Sequence, residues 1–282
     1  MTHNNGQLSP SCTANILRDI SHIPRKKLGQ NFLVDSNIVR KSLELADVNP
    51  NDCIVEIGPG LGTLTGALIS RGARVWAVEI DPELYAYLRD TFRDEENLNL
   101  INADALEFPL AGLPPEVPDF KIVANLPYAI STPWLDGVLS GRLPQKMVLM
   151  LQKEAAERLS ASSSSGDYTP ISAMLSQAYA AISKHKVSAS CFYPRPKVDS
   201  ILMALERLPN PLIFSPRAKA AMRFAFSMRR KQLGTIAKNA GEFSPHFLKW
   251  LESSPEIRAS DRPETVEPHI WSRLNTIIEQ TK

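Results

Sequence analysis

Short apolar runs alternate along this chain with stretches of helical period. The runs Cys53–Ile57, Ala73–Ile80, Leu98–Asp104, Phe120–Leu126, Met147–Leu151, His185–Ala189 and Asp199–Leu205 predict strands. Between them Ser36–Asp47, Thr63–Arg71, Pro82–Phe92, Thr132–Leu139, Lys153–Leu159 and Ile171–Ala181 space their apolar residues as helices do. Several of the strand runs are continuously apolar, as in parallel strands covered on both faces. Seven of them alternating with helices predict an α/β fold with an open, doubly wound sheet rather than an eight-stranded barrel. No long helix separates the last two runs, which predicts an antiparallel hairpin at one edge.

Punctuation divides the chain. Residues 1–24 are a polar tail, 25–207 the sheet domain, 208–216 a linker carrying Pro209, Pro211 and Pro216, and 217–282 a small all-α domain built from Arg217–Ala240, Pro245–Leu251 and Glu267–Gln280. Ser160–Gly166 is low in complexity and is expected to be a mobile surface loop. With 282 residues and 43% hydrophobic content, the chain can bury a core in both domains. It has no apolar run of the ~18 residues that a membrane span needs and no apolar leader in its first 24 residues. Cys12, Cys53 and Cys191 are odd in number and widely spaced, which argues against disulfides and structural zinc and for a reducing cytoplasm.

The net charge of +2 hides an asymmetry. Arg40–Ser140 holds seven Lys/Arg against sixteen Asp/Glu, whereas Ile182–Lys238 holds twelve Lys/Arg against Asp199 and Glu206 alone. The second block suits a polyanion, or else is a solvated basic face.

Gly58-Pro59-Gly60-Leu61-Gly62 follows the first strand run and opens a helix. A glycine-rich turn there lets the backbone approach a nucleotide closely, although a tight strand–helix connection uses the same residues. Glu79, at the end of the next strand and 21 residues beyond Gly58, is placed to accept hydrogen bonds from both ribose hydroxyls. A dinucleotide fingerprint starting at Gly58 would need glycine where Thr63 stands. Asp104, ending the third strand, can accept an adenine amino hydrogen. Glu56, Glu79 and Asp104 together would repel a pyrophosphate and tolerate a sulfonium cation. The cofactor is therefore read as S-adenosylmethionine.

Asn125-Leu126-Pro127-Tyr128 directly follows the fourth strand and faces the same crevice. An exocyclic amine conjugated to a ring is a poor nucleophile. Two acceptors, the Asn125 side-chain oxygen and the Leu126 carbonyl, can hold both its N–H bonds and favour a pyramidal nitrogen. Pro127 fixes φ, and Tyr128 offers a ring for stacking. Phe192, in Phe192-Tyr193-Pro194-Arg195-Pro196-Lys197, could stack on the other face of a flipped base or belong to the core of a Pro-rich connection. His3, His22, His185, His246 and His269 show no ligand spacing, and no metal is required.

Taken in order, KKLGQNFL (26–33), EIGPGLGTLT (56–65), VEID (78–81), NADAL (102–106), NLPYAIST (125–132), MVLMLQKEAAERL (147–159), FYPRPKVDS (192–200) and FAFSMRRKQL (224–233) resemble the small-subunit ribosomal RNA adenine dimethyltransferases of the kasugamycin-resistance type. The resemblance implies a class I S-adenosylmethionine-dependent methyltransferase sheet, Rossmann-like and seven-stranded, with a helical C-terminal domain. It implies transfer of methyl groups to N6 of two adjacent adenosines in the 3′-terminal hairpin of 16S rRNA, within an assembling 30S subunit; the cytoplasm follows from the cysteines as above, and oligomeric state is open with a monomer as the default expectation. Carried over by motif, Asn31, Leu33, Gly58, Gly60, Glu79, Asp104 and Asn125 line the cofactor site; Asn125, Leu126, Pro127 and Tyr128 hold the base and Phe192 caps it; Arg229, Arg230 and Lys231 face RNA. One departure is Tyr168-Thr169-Pro170-Ile171-Ser172, where the family often has glycine after tyrosine. The rivals are the large-subunit dimethyltransferases of macrolide resistance, a non-catalytic rRNA-binding assembly factor or an organellar transcription factor on this fold, and a nicotinamide oxidoreductase. Glycine spacing disfavours the last.

Overall fold

The computed structural model describes residues 9–280. Its strands are β1 (Phe32–Leu33), β2 (Cys53–Ile57), β3 (Arg74–Glu79), β4 (Leu98–Asn102), β5 (Lys121–Asn125), β6 (Lys146–Gln152), β7 (Tyr179–Val187), β8 (Phe192–Tyr193) and β9 (Ser200–Arg207). The helices are α1 (Pro10–Asp19), α2 (Ser36–Ala46), α3 (Thr63–Ser70), α4 (Pro82–Thr91), α5 (Ser131–Val138), α6 (Lys153–Leu159), α7 (Pro170–Ala178), α8 (Pro216–Ser227), α9 (Leu233–Asn239), α10 (Ser244–Ser253) and α11 (Pro268–Gln280). None is long and apolar enough to cross a membrane.

Seven strands form one sheet in the order β4-β3-β2-β5-β6-β9-β7, the α/β architecture expected. β2 pairs in parallel with β3 and with β5, and β5 with β6, while β9 runs antiparallel to β6 from Lys146↔Glu206 to Gln152↔Ser200. All five residues of β2 are buried, because Ile54 joins one core face with Leu43, Leu68, Val75 and Val123 while Val55 points to the other. Strand order reverses between β2 and β5. In open α/β sheets the crevice at the carboxyl ends of such a switch point is where ligands bind, and both informative motifs leave the sheet there.

Three local expectations change. The predicted helix Ile171–Ala181 stops at Ala178, and the last edge strand starts at Tyr179, earlier than His185. Arg217–Ala240 is two helices, with a turn at 228–232. The third strand ends at Asn102, so Asp104 lies in the turn beyond it. The tail 1–24 is also more than polar filler, since its described part carries α1; residues 1–8, with His3, lie outside the described residues.

The chain divides into two units, 1–138 with 143–155 and 181–206, and 139–142 with 156–180 and 207–282. The second therefore takes in α7 as well as the helices after the proline-rich 208–216. Its core stacks Trp250 on Trp271 with ring centroids 4.8 Å apart, and Phe226 bridges Trp271 to Tyr168. Tyr168 is wholly buried and its hydroxyl donates to the Val266 carbonyl at 3.0 Å. Proline suits position 170 because it occupies the first turn of α7, where its missing N–H has no helical partner. The serine-rich loop is tied rather than loose: Ser164 N–H donates to the Glu264 carbonyl at 2.6 Å, Arg229 to the Gly166 carbonyl at 3.1 Å, and the Ser163 hydroxyl to Glu267.

Candidate active site

A pocket opens at the carboxyl ends of β2, β3 and β5. Its lining brings together Asn31, Leu33, Gly58, Gly60, Glu79, Asp104, Asn125, Leu126, Pro127 and Tyr128 from five separate stretches of chain. Gly58, Gly60 and Gly62 all hold φ between +61° and +77°. That alternation explains their spacing, because side-chain-bearing residues rarely adopt this conformation. At Gly62 a Cβ would also sit 2.5 Å from the Phe92 ring, and at Gly58 it would press on Pro127 at 3.2 Å.

Glu79 is buried at the end of β3. Its Oε2 accepts from Gly60 N–H at 3.1 Å and its Oε1 from Asp81 N–H at 2.9 Å, so one carboxylate ties the glycine loop to the strand end. Each oxygen retains a lone pair for a ligand hydroxyl. Burial raises this carboxyl above the usual range, and the backbone hydrogen bonds oppose the rise. Asp104 is half-buried, with Oδ1 accepting from Leu106 N–H at 2.8 Å.

Glu56 is buried to 2% exposure beneath the loop and accepts from the Thr65 hydroxyl at 2.7 Å. Burial pushes its pKa up to about 8, against the Thr65 hydrogen bond and with a small push from Glu79. The three-carboxylate negative charge expected from sequence is therefore smaller, since a dry Glu56 keeps its proton at neutral pH. An acid with a raised folded-state pKa stays protonated while the unfolded chain ionises. Folded stability then falls as pH climbs from the ordinary carboxylate range to about 8. Glu56→Gln removes that slope. Its unfolding free energy is expected to exceed the wild type's by on the order of a few kcal/mol above pH ~8 and to converge with it near pH ~4. Denaturant titrations across that range check this; parallel curves would place the proton elsewhere.

Asn125 ends β5. Its Nδ2 donates to the backbone carbonyl of Asn31 at 3.0 Å. A carbonyl can only accept, so the amide nitrogen must face Asn31, and Oδ1 is turned the other way as a free acceptor. Asn31 is held by its own side chain, whose Nδ2 donates to the Gly29 carbonyl at 3.0 Å. The Tyr128 hydroxyl is 2.8 Å from Ser200 Oγ, a buried partner on β9 that the motif reading did not single out. Burial raises the Tyr128 phenol, with the Ser200 hydrogen bond opposing. Gln30 and Ile80 also line the pocket and were not singled out from sequence, although Gln30 directly precedes Asn31 in KKLGQNFL.

Two expected residues are placed differently. Phe192 does not line the pocket: β8 pairs it with Leu33, and it is buried to 2% among Leu33, Val187 and Leu202. The apolar ring is more stable in that core than exposed over a cleft, so the core alternative is the one adopted. Arg229 is engaged within the second unit, its Nε donating to Glu264 Oε2 at 2.8 Å, whereas Arg230 and Lys231 are exposed.

S-adenosylmethionine fits this donor set. Left-handed glycines admit close backbone approach, Glu79 at the end of β3 and Asp104 just beyond β4 offer acceptors, and among the described lining residues Lys27 is the single Lys or Arg, set against Glu56, Glu79 and Asp104. Comparison with known proteins agrees. The family model for ribosomal RNA adenine dimethylase matches residues 21–277. The chain is 50% identical over 272 residues to the ribosomal RNA small subunit methyltransferase A of Opitutus terrae, covering 95% of this chain and 98% of that one. It is 41% identical over 259 residues to the protein of that name from Clostridium perfringens, covering 90% of each. Among solved structures, a dimethyladenosine transferase from Plasmodium falciparum superposes with a TM-score of 0.70 at 24% identity over 88% of this chain and 98% of that one. The 23S rRNA methyltransferase ErmE gives a TM-score of 0.60 at 28% identity over 89% and 100%. The switch-point pocket, its glycine loop and the oriented Asn125 are thus those of a chain that belongs to the ribosomal RNA adenine dimethylase family, an rRNA adenine dimethyltransferase that uses S-adenosylmethionine.

Proposed function

We propose that the enzyme acts on small-subunit rRNA, dimethylating N6 of two adjacent adenosines in the 3′-terminal hairpin of an assembling 30S subunit, as a cytoplasmic monomer. The observation that carries the base-binding half of this reading is the Asn31–Asn125 hydrogen bond, because it presents Oδ1 of Asn125 as an acceptor in the pocket that holds Glu79. What supports the small subunit as target is the 50% identity to a relative of that name against 28% to a large-subunit enzyme.

When bound, the cofactor supplies an electrophilic methyl group on a sulfonium. The chain's own task is to hold donor and base. Gly58, Gly60, Glu79 and Asp104, with Asn31 and Leu33, bind the cofactor. Oδ1 of Asn125 and the Leu126 carbonyl accept the two N–H bonds of the adenine amine, which draws its lone pair out of conjugation and aims it. Pro127 keeps that carbonyl still, and Tyr128, braced by Ser200, gives the base a stacking face. Arg230 and Lys231 are exposed positive charges suited to the RNA backbone. Arg229, already paired with Glu264, serves this surface by holding the serine-rich loop.

The test is methyl transfer from radiolabelled S-adenosylmethionine to small subunits lacking the modification, with large subunits and naked rRNA in parallel, followed by nuclease mapping. Dimethyladenosine confined to the small-subunit hairpin is expected. Label on large-subunit RNA alone would move the enzyme to the macrolide-resistance group.

A further inference from the structure

The family match begins at residue 21, yet a helix precedes it. α1 starts on Pro10 and is capped by the Ser9 hydroxyl, which accepts from Cys12 N–H at 3.1 Å. It buries Leu17 to 3% exposure against Phe32 and Leu84, with Leu61 at the margin of the same cluster. Phe32, Leu61 and Leu84 all line the cofactor pocket, so α1 backs the pocket wall without lining it.

The chain leaving α1 then places His22, 4% exposed, in a polar network. Its Nδ1 lies 2.6 Å from Glu83 Oε2 and its Nε2 3.0 Å from Gln30 Oε1. Gln30 Oε1 also accepts from Arg25 N–H at 2.6 Å, and Gln30 Nε2 donates to Asp81 Oδ2 at 2.8 Å. Asp81 N–H in turn donates to Glu79. The His22 ring thus bridges Glu83 and Gln30, one ring nitrogen to each. The Arg25 guanidinium spans Asp81 and Glu83 at 3.2 and 2.8 Å, so it supplies the positive charge between these carboxylates and would compete with a cation for them.

We infer that residues 9–24 are a working part of the cofactor pocket, in which His22 is a positioning residue: it fixes Gln30 in the pocket lining and, through Asp81, the Glu79 carboxylate. The inference rests on reading this pocket as the cofactor site. Removing one buried member of such a network leaves the others unsatisfied and free to shift.

Calorimetric titration of S-adenosylmethionine into the wild-type chain, His22→Ala and Leu17→Ala, well below each melting temperature, tests it. His22→Ala is expected to weaken cofactor binding about tenfold, with the loss of methyl transfer seen mainly in the cofactor KM rather than in kcat. Leu17→Ala, which removes the apolar contact with Phe32 and Leu84 but keeps the backbone carbonyl that accepts from His22 N–H at 2.8 Å, is expected to weaken binding about threefold and decides the matter alone if His22→Ala does not fold. Wild-type affinity in the folded variants, with only melting temperatures lowered, overturns the inference. Failure of the wild-type chain itself to bind would instead overturn the cofactor reading of the pocket.

Discussion

Asn125→Ala is expected to lower methyl transfer roughly 10²–10³-fold at saturating cofactor while leaving S-adenosylmethionine affinity within several-fold of wild type. The side chain does two things. Its Nδ2 closes a 3.0 Å hydrogen bond on the Asn31 carbonyl, and that bond leaves Oδ1 as the available acceptor of a side chain that lines the pocket. Removing it takes away one of two acceptors for the adenine amine, so the loss falls on alignment of the reacting nitrogen rather than on binding. Asn125→Asp sharpens the test. It keeps an acceptor of the same size but places a carboxylate oxygen against the Asn31 carbonyl, so the orienting bond is lost. It should therefore be impaired nearly as much as the alanine variant. Single-turnover methylation of rRNA with both variants, alongside cofactor calorimetry, reads the two effects separately. Near-normal turnover in Asn125→Asp would show that orientation by Asn31 is dispensable, and near-normal turnover in both would discard the two-acceptor scheme.

Glu79→Ala is expected to weaken cofactor binding by roughly two orders of magnitude or more. A carboxylate accepting two ribose hydroxyls makes two charge-assisted hydrogen bonds, each worth about 1.5–3 kcal/mol. The same residue also holds the site together, because Gly60 N–H and Asp81 N–H both donate to it and lose their partner on truncation. Glu79→Gln separates these roles. The amide oxygen can still accept one backbone N–H, whereas its NH2 group faces a donor where an acceptor is needed. Its affinity and its unfolding stability should both fall between those of the wild type and the alanine variant. Calorimetry for affinity and denaturant unfolding for stability distinguish the cases. Wild-type affinity in a folded Glu79→Ala would remove Glu79 from the cofactor site.

The sheet was legible in the sequence because parallel strands covered on both faces must be apolar throughout, and runs such as Cys53–Ile57 can be little else. The glycine turn was legible because a left-handed backbone at 58, 60 and 62 nearly demands glycine. Asn125–Tyr128 was legible from its position just past a strand, in a fold whose strand ends carry the site. All three signals are local. Phe192 is ambiguous in sequence for the converse reason. An aromatic in a Pro-rich loop reads equally as a stacking platform or a core residue, and only its pairing with Leu33 across two short strands assigns it to the core. Arg229 is indistinguishable in sequence from its basic neighbours, and its partner Glu264 lies 35 residues away.

By itself, then, the sequence determined the class of fold and the cofactor and singled out the tetrapeptide proposed to meet the base, since each follows from residue type and spacing. Tertiary structure alone decided which atom of Asn125 faces the pocket, because its partner Asn31 lies 94 residues away. It also decided that Glu56 is too dry to carry charge at neutral pH, and that a polar-looking tail backs the pocket through Leu17 and His22. Hydrogen-bond direction, desolvation and burial depend on groups that the fold brings together from distant stretches of chain, and no local pattern encodes them.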